Sequence, residues 1–189
     1  MEKTPLEKVR LWHEQPQRTV GLLVNEPLRV RPGLVYSVLG GVIRLQSATS
    51  FRTLGFVNSF FEVPCDVHAY AQSECLISWR YWTDLALEEE VLVRASICRE
   101  YTYLLEYSSA LEGSSTEVLL QFLLFLGKRF GTNVDGYYEI PWLITQEVVS
   151  KSINMVRVTV TRAFKKAKKN ESLIITDSGR IRIREKLAE

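Results

Sequence analysis

Residues 144–174 read I-T-Q-E-V-V-S-K-S-I-N-M-V-R-V-T-V-T-R-A-F-K-K-A-K-K-N-E-S-L-I, and the fold of the chain turns on them. The pattern predicts two short helices joined by a tight turn. The first runs from about Thr145, a suitable N-cap, to Ser152, with Val148, Val149 and Ile153 as its apolar contacts. Ile153-Asn154-Met155 is the turn, because asparagine tolerates the left-handed conformation that glycine usually supplies there. The second runs from about Val156 to Lys169. Val160, Ala163, Phe164 and Ala167 fall at i, i+3, i+4 and i+7 and form its predicted buried stripe.

The opposite face of that second helix carries Arg157, Val158, Thr161 and Arg162 near the N-terminal end. A helix that enters the DNA major groove presents its reading residues there. The planar fork of arginine matches the O6 and N7 atoms of guanine, and Val158 and the Thr161 methyl suit a thymine methyl group. Thr145, Gln146, Thr159 and Lys165 flank this face as candidate phosphate contacts, which position a protein without specifying sequence. Downstream, Leu173-Ile-Ile-Thr, Asp177-Ser-Gly-Arg and Ile181-Arg-Ile-Arg read as a hairpin with a glycine-containing turn. This wing places Arg180 at its tip as a further backbone contact. Residues 151–184 hold ten Lys/Arg and two Asp/Glu, so this segment is +8 and the remainder −6 in a chain of net charge +2. Such asymmetry points to a polyanion-binding end.

Upstream, residues 1–25 mix charges and prolines with a short apolar run, Val20 to Val24, and read as an arm or short helix. From about Pro27 to Trp82 short strand-like runs recur at roughly ten-residue spacing, the mark of a β-sandwich or barrel. They are Leu34-Val-Tyr-Ser-Val-Leu, Val42-Ile-Arg-Leu-Gln, Thr53-Leu-Gly-Phe-Val, Asp66-Val-His-Ala-Tyr-Ala and Cys75-Leu-Ile-Ser-Trp. Gly40-Gly41 is expected to join the first two as a hairpin. From Asp84 to Leu111 the pattern becomes one long amphipathic helix carrying Leu87, Val91, Val93, Ile97, Tyr101, Leu104, Leu105 and Ala110. A second copy of the chain is the natural cover for that apolar face. Ser114 and Glu117 have the spacing of a capping box opening a core helix, Thr116 to Phe130, and Gly113 before them is a candidate hinge. The domain reading is therefore 1–83 for a β-barrel, 84–112 for a dimerisation helix and 113–189 for a DNA-binding domain.

The remaining composition excludes several classes. Cys65, Cys75 and Cys98 form no C-x-x-C pair, and His13 and His68 form no metal-ligand pair, so neither a zinc site nor a disulfide framework is expected. Barrel enzymes that use metal chemistry need clustered histidines and carboxylates, and these are absent. The charged N-terminus is unlike a signal peptide, and the most apolar run, Val118 to Leu126, is too short to span a bilayer, so a cytoplasmic protein without a membrane partner is expected.

L-L-x-F-L-L-x-L-x-x-x-F-G, I-T-Q-E-x-V, R-V-T-V-T-R and the L-I wing strand resemble the Crp/Fnr family of bacterial transcription regulators. The hexad Arg157-Val-Thr-Val-Thr-Arg162 is most similar to the nitrogen-control, NtcA-like branch, and V-Y-S-V-L-G-G-V-I-R-L resembles the family's barrel. The resemblance implies an α+β chain: an N-terminal cyclic-nucleotide-type jelly roll, a long dimerisation helix and a C-terminal winged helix-turn-helix. It implies a homodimer on a two-fold symmetric DNA site with G-T-A half-sites read by Arg157 and Arg162. It also implies activation through RNA polymerase contact, or repression by occupancy. The family's cyclic-nucleotide binders carry G-E-L-A followed by R-[AS]-A. The corresponding stretch here, Ser59-Phe-Phe-Glu-Val-Pro-Cys-Asp-Val-His-Ala-Tyr-Ala, lacks the glycines and the arginine. Phosphate would be poorly held. No cofactor is expected, neither cyclic nucleotide nor 2-oxoglutarate, and the altered barrel suits either a DNA-competent locked state or a module that engages a regulatory protein. Val156 also replaces the family's Ser/Thr cap before the first arginine.

Overall fold

The computed structural model describes residues 19–50, 52–109 and 113–185. The chain forms two compact units, Met1–Leu104 and Leu105–Glu189, and the boundary falls inside its longest helix.

Among the described residues the first unit has eight strands: β1 (Thr19–Leu22), β2 (Pro27–Leu28), β3 (Leu34–Gly40), β4 (Ile43–Ser47), β5 (Thr53–Val57), β6 (Phe60–Phe61), β7 (Val67–Ala71) and β8 (Cys75–Tyr81). They form two antiparallel four-stranded sheets, ordered β1-β8-β3-β6 and β2-β7-β4-β5. The core between them includes Leu28, Tyr36, Ile43, Leu45, Phe61 and Ile77, all buried. Strand β7 alternates as a half-buried strand should, with Val67, Ala69 and Ala71 inside and His68 exposed. Strand β3 instead is buried along Leu34–Val38, because it is covered on both faces. Leu34, Tyr36 and Val38 face the core, while Val35 packs with Phe60, Val93 and Ile97.

Two expectations are corrected in this unit. Gly40-Gly41 does not close a hairpin. Strand β3 pairs with β6 and β8, and β4 with β5 and β7, so the turn carries the chain from one sheet to the other. Glycine is required there for two reasons. Gly41 sits at φ +85°, and a Cβ on it would lie 2.2 Å from the Glu74 carbonyl oxygen and 2.7 Å from the Cys75 sulfur. The run at Val20 is not helical either; it is β1, held along the edge of β8 from Thr19↔Ser78 to Leu22↔Cys75. The remainder of the expected arm, residues 1–18, lies outside the described residues.

A short 3-10 turn, Trp82–Asp84, leads to α1 (Leu87–Ser109). The apolar residues anticipated for one face of this helix divide between two. Val93 and Ile97 pack on the first sheet. Leu87, Val91, Tyr101 and Leu105 are exposed, Leu87 by 77% and Leu105 by 71%. Ala110 lies outside the described residues.

The second unit contains α2 (Ser115–Phe130), α3 (Gln146–Ser152) and α4 (Arg157–Lys169), with the strands β9 (Thr132–Val134), β10 (Tyr137–Glu139), β11 (Leu173–Ile175) and β12 (Ile181–Arg184). The capping box that opens α2 is formed on both sides: Ser114 accepts from the Glu117 amide, and the Glu117 carboxylate accepts from the Ser114 amide at 2.7 Å. Val118, Leu119, Phe122, Leu123 and Leu126 of α2 are buried. The four strands make one sheet, ordered β11-β12-β10-β9. Its β9–β10 hairpin was not anticipated, although the sequence carries its signal. Asp135-Gly136 has positive φ at both residues, 52° and 77°, as a two-residue type I′ turn demands.

Candidate nucleic-acid interface

Thr145 caps α3 as expected, its hydroxyl accepting from the Val148 amide at 3.2 Å. The helix ends at Ile153, and Asn154 takes φ 52°, the left-handed turn residue between the two helices. The amide of Met155 reaches back to the Ser150 carbonyl at 3.0 Å. The turn is fixed by backbone bonds, so it orients α4 closely against α3.

Helix α4 buries the four residues the period predicted: Val160, Ala163, Phe164 and Ala167. Its other side faces solvent. Arg157, Val158, Arg162 and Lys165 are exposed, Val158 by 61%, and Thr159 is half-buried. Among the described residues neither Arg157 nor Arg162 has an ion pair. Thr161 is half-buried, and its hydroxyl lies 2.7 Å from the Gln146 side-chain oxygen and 3.0 Å from the Arg157 carbonyl. Its polar atom is thus committed within the protein. Gln146 in turn accepts through oxygen and keeps its two amide hydrogens for an external acceptor. Gln146 is half-buried as well, and the sequence could not give the bond that joins the two across fifteen residues.

The N-terminus of α4 has no side-chain cap: Val156 has the extended geometry of an N-cap, φ −67° and ψ 144°, and no group to accept from the first-turn amides. No acid sits in that turn, and Lys166, Lys168 and Lys169 occupy the last one. Positive partial charge at the N-terminal end therefore stands unneutralised beside Arg157, which favours an anion there.

The wing is β11 and β12 with the turn Thr176–Arg180, closed by Thr176 N–H to the Arg180 carbonyl at 2.9 Å and by Gly179 at φ +79°. Arg180 is at the tip, as expected, and it is also tied down. Glu139 on β10 accepts from Arg180 at 3.2 Å and from Arg182 at 2.7 Å. The hydrogen bond from Arg182, followed by that from Arg180, holds the Glu139 carboxyl below the usual range. This clamp is the main feature of the region that sequence reading missed.

The stretch from Ser59, expected to correspond to the family's phosphate-binding element, packs against α1. The Ser59 hydroxyl donates to the buried Glu100 carboxylate at 2.7 Å and lies 3.3 Å from the Ser96 hydroxyl. Phe60 and Phe61 are buried, and the space left between them, Leu45, Ile97 and Tyr101 is about 10 Å³. That is room for about one water molecule. Among the described residues no group of three or more metal-ligating side chains is brought together. No helix among them is long and apolar enough to cross a membrane.

No protein-family model matches the chain, and no curated protein matches it. Its fold is nevertheless that of the CRP/FNR regulators. A CRP-family transcriptional regulator from Thermus thermophilus is similar at a TM-score of 0.73 and 16% identity, over 87% of this chain and 91% of that one. FixK2 from Bradyrhizobium japonicum is similar at 0.69 and 16% identity, over 88% and 91%. A cyclic nucleotide-binding domain containing protein from Listeria monocytogenes is similar at 0.73 and 15% identity, over 96% and 98%.

Proposed function

We propose that the chain is a sequence-specific DNA-binding transcription regulator, not an enzyme. It acts as a homodimer that places two copies of α4 in successive major grooves, roughly 34 Å apart. The observation that carries this reading is the solvent face of α4, where Arg157, Val158 and Arg162 stand exposed above a fully buried opposite stripe. Arg157, Val158, Thr161 and Arg162 read base edges. Thr145, Gln146, Thr159, Lys165 and Arg180 hold the phosphates. The similarity of the hexad to the nitrogen-control branch supports G-T-A half-sites in a palindrome. Solved structures of the same fold include proteins described as transcriptional regulators, which supports the same class.

The exposed residues of α1, Leu87, Val91, Tyr101 and Leu105, supply the apolar seam of the dimer. Regulation works by contact with RNA polymerase or a regulatory protein, or by occupancy of the site. The closed space around Ser59 and Glu100 supports DNA binding without cyclic nucleotide or 2-oxoglutarate.

In vitro selection of DNA by the purified chain, with no ligand added, tests the proposal. Enrichment of a palindrome with G-T-A half-sites is the expected result. Recovery of unrelated or non-palindromic sequences would remove the reading assigned to Arg157 and Arg162.

A further inference from the structure

The first unit contains a second space, far larger than the one at Ser59. Strand β1 edges one sheet and β2 edges the other. The turn between them is tight: Asn25 has φ 66°, and the Glu26 amide returns to the Leu23 carbonyl at 3.0 Å. Strand β2 has only two residues. The cavity measures about 370 Å³. That lies at the small end of the roughly 300–1,000 Å³ of ligand pockets.

We propose that this cavity binds a small organic monoanion with an apolar body, of the medium-chain carboxylate type. Its wall is apolar: Val20, Leu22, Leu28, Leu34 and Trp79. Tyr36, 1% exposed, also lines it. The Tyr36 hydroxyl accepts from the Arg31 amide at 2.8 Å, which leaves its own proton for a ligand oxygen. Arg29 and Arg31 stand exposed at the mouth, and among the described residues neither guanidinium has an ion pair. Glu26, the acid beside them, is held by the Leu23 amide at 2.9 Å. Two cations and one anion leave a single positive charge over an apolar hole. That combination selects against neutral alkanes and alcohols, which forgo the charge-assisted bonds, and against amines, which the arginines repel. The inference rests on the first unit alone and is independent of the DNA reading.

Calorimetric titration of the full chain with octanoate, 1-octanol and octylamine, without DNA, decides it. Octanoate is expected to saturate one site per chain, with octanol and octylamine at least tenfold weaker. The double variant Arg29→Ala/Arg31→Ala, altered only at exposed side chains, is expected to weaken octanoate at least tenfold. Val20→Trp, which fills the hole, is expected to abolish binding. Octanol binding as tightly as octanoate, octanoate affinity unchanged in the arginine variant, or no saturable heat with octanoate would each overturn the proposal. Should Val20→Trp fail to fold, the arginine variant still decides.

Discussion

Tyr107 donates its phenolic hydroxyl to the backbone carbonyl of Ser152, so the end of α1 is hydrogen-bonded to the end of α3. The ring is buried against Phe122 and Phe125 of α2, with centroids 5.7 and 5.6 Å away. One side chain thus fixes the helix that leads into the turn of the helix-turn-helix. Tyr107→Phe keeps the packing and strands a buried carbonyl, which costs about 1–3 kcal/mol. Urea unfolding followed by circular dichroism checks this.

The same residue predicts an alkaline limit. Burial raises the Tyr107 phenol above its ordinary 10.0, against a smaller lowering by its bond to Ser152. The folded chain therefore holds the proton more tightly than the unfolded chain does. The contribution is complete below pH 10 and is lost as pH rises above it toward the folded value. Stability of the parent should fall faster than that of Tyr107→Phe between pH 10 and 11.5, each compared with its own value at pH 8. Equal losses would remove this role.

Val156 has N-cap geometry but no acceptor. Val156→Ser supplies one and should add about 1 kcal/mol to stability. Selected DNA sites should be unchanged, because residue 156 precedes the reading face. A shift in the urea midpoint at constant slope is the measurement.

Gly127 decides between two opposing effects. Replacing a mid-helix glycine with alanine normally gains about 1 kcal/mol. Here the new methyl would lie 2.6 Å from the Tyr138 Cβ and 3.0 Å from the Ile183 Cγ2. Displacing a hairpin and a strand from α2 costs typically about 1–3 kcal/mol. Gly127→Ala should destabilise, read as a lower melting temperature of the second unit.

Arginine and lysine variants separate reading from holding. Arg157→Ala should cost about 1–3 kcal/mol and relax specificity at one base pair. Lys165→Ala should weaken all sites alike and lower the salt slope by about one unit. Glu139→Gln should act oppositely, strengthening binding at every site, because it releases Arg180 and Arg182 from a carboxylate. Filter binding across a salt series distinguishes the three.

What the sequence made legible was local. The stripe Val160–Ala163–Phe164–Ala167, the turn at Asn154 and the box Ser114–Glu117 each depend on residues within one or two helical turns, and each is as read. What it hid is set by distant partners. A glycine pair looks the same in a hairpin and in a crossover, and only the pairing of Ser37 with Phe60 and Ser78 tells them apart. Val20 to Leu22 is too short a run to declare itself strand until Cys75–Ser78 lies beside it. Glu139 meets Arg180 and Arg182 from more than forty residues away. The wall of the larger cavity comes from four strands, and no contiguous motif records it.

The strand order of the first sheet sets when that sheet can close as the chain leaves the ribosome. Because β8 lies between β1 and β3, those two strands have no shared neighbour until Cys75–Tyr81 has been synthesised. At about 5–20 residues per second, Thr19–Leu22 then waits on the order of seconds for its partner. During that interval its edge amides and apolar side chains are exposed, which makes the nascent first sheet a natural client for a chaperone.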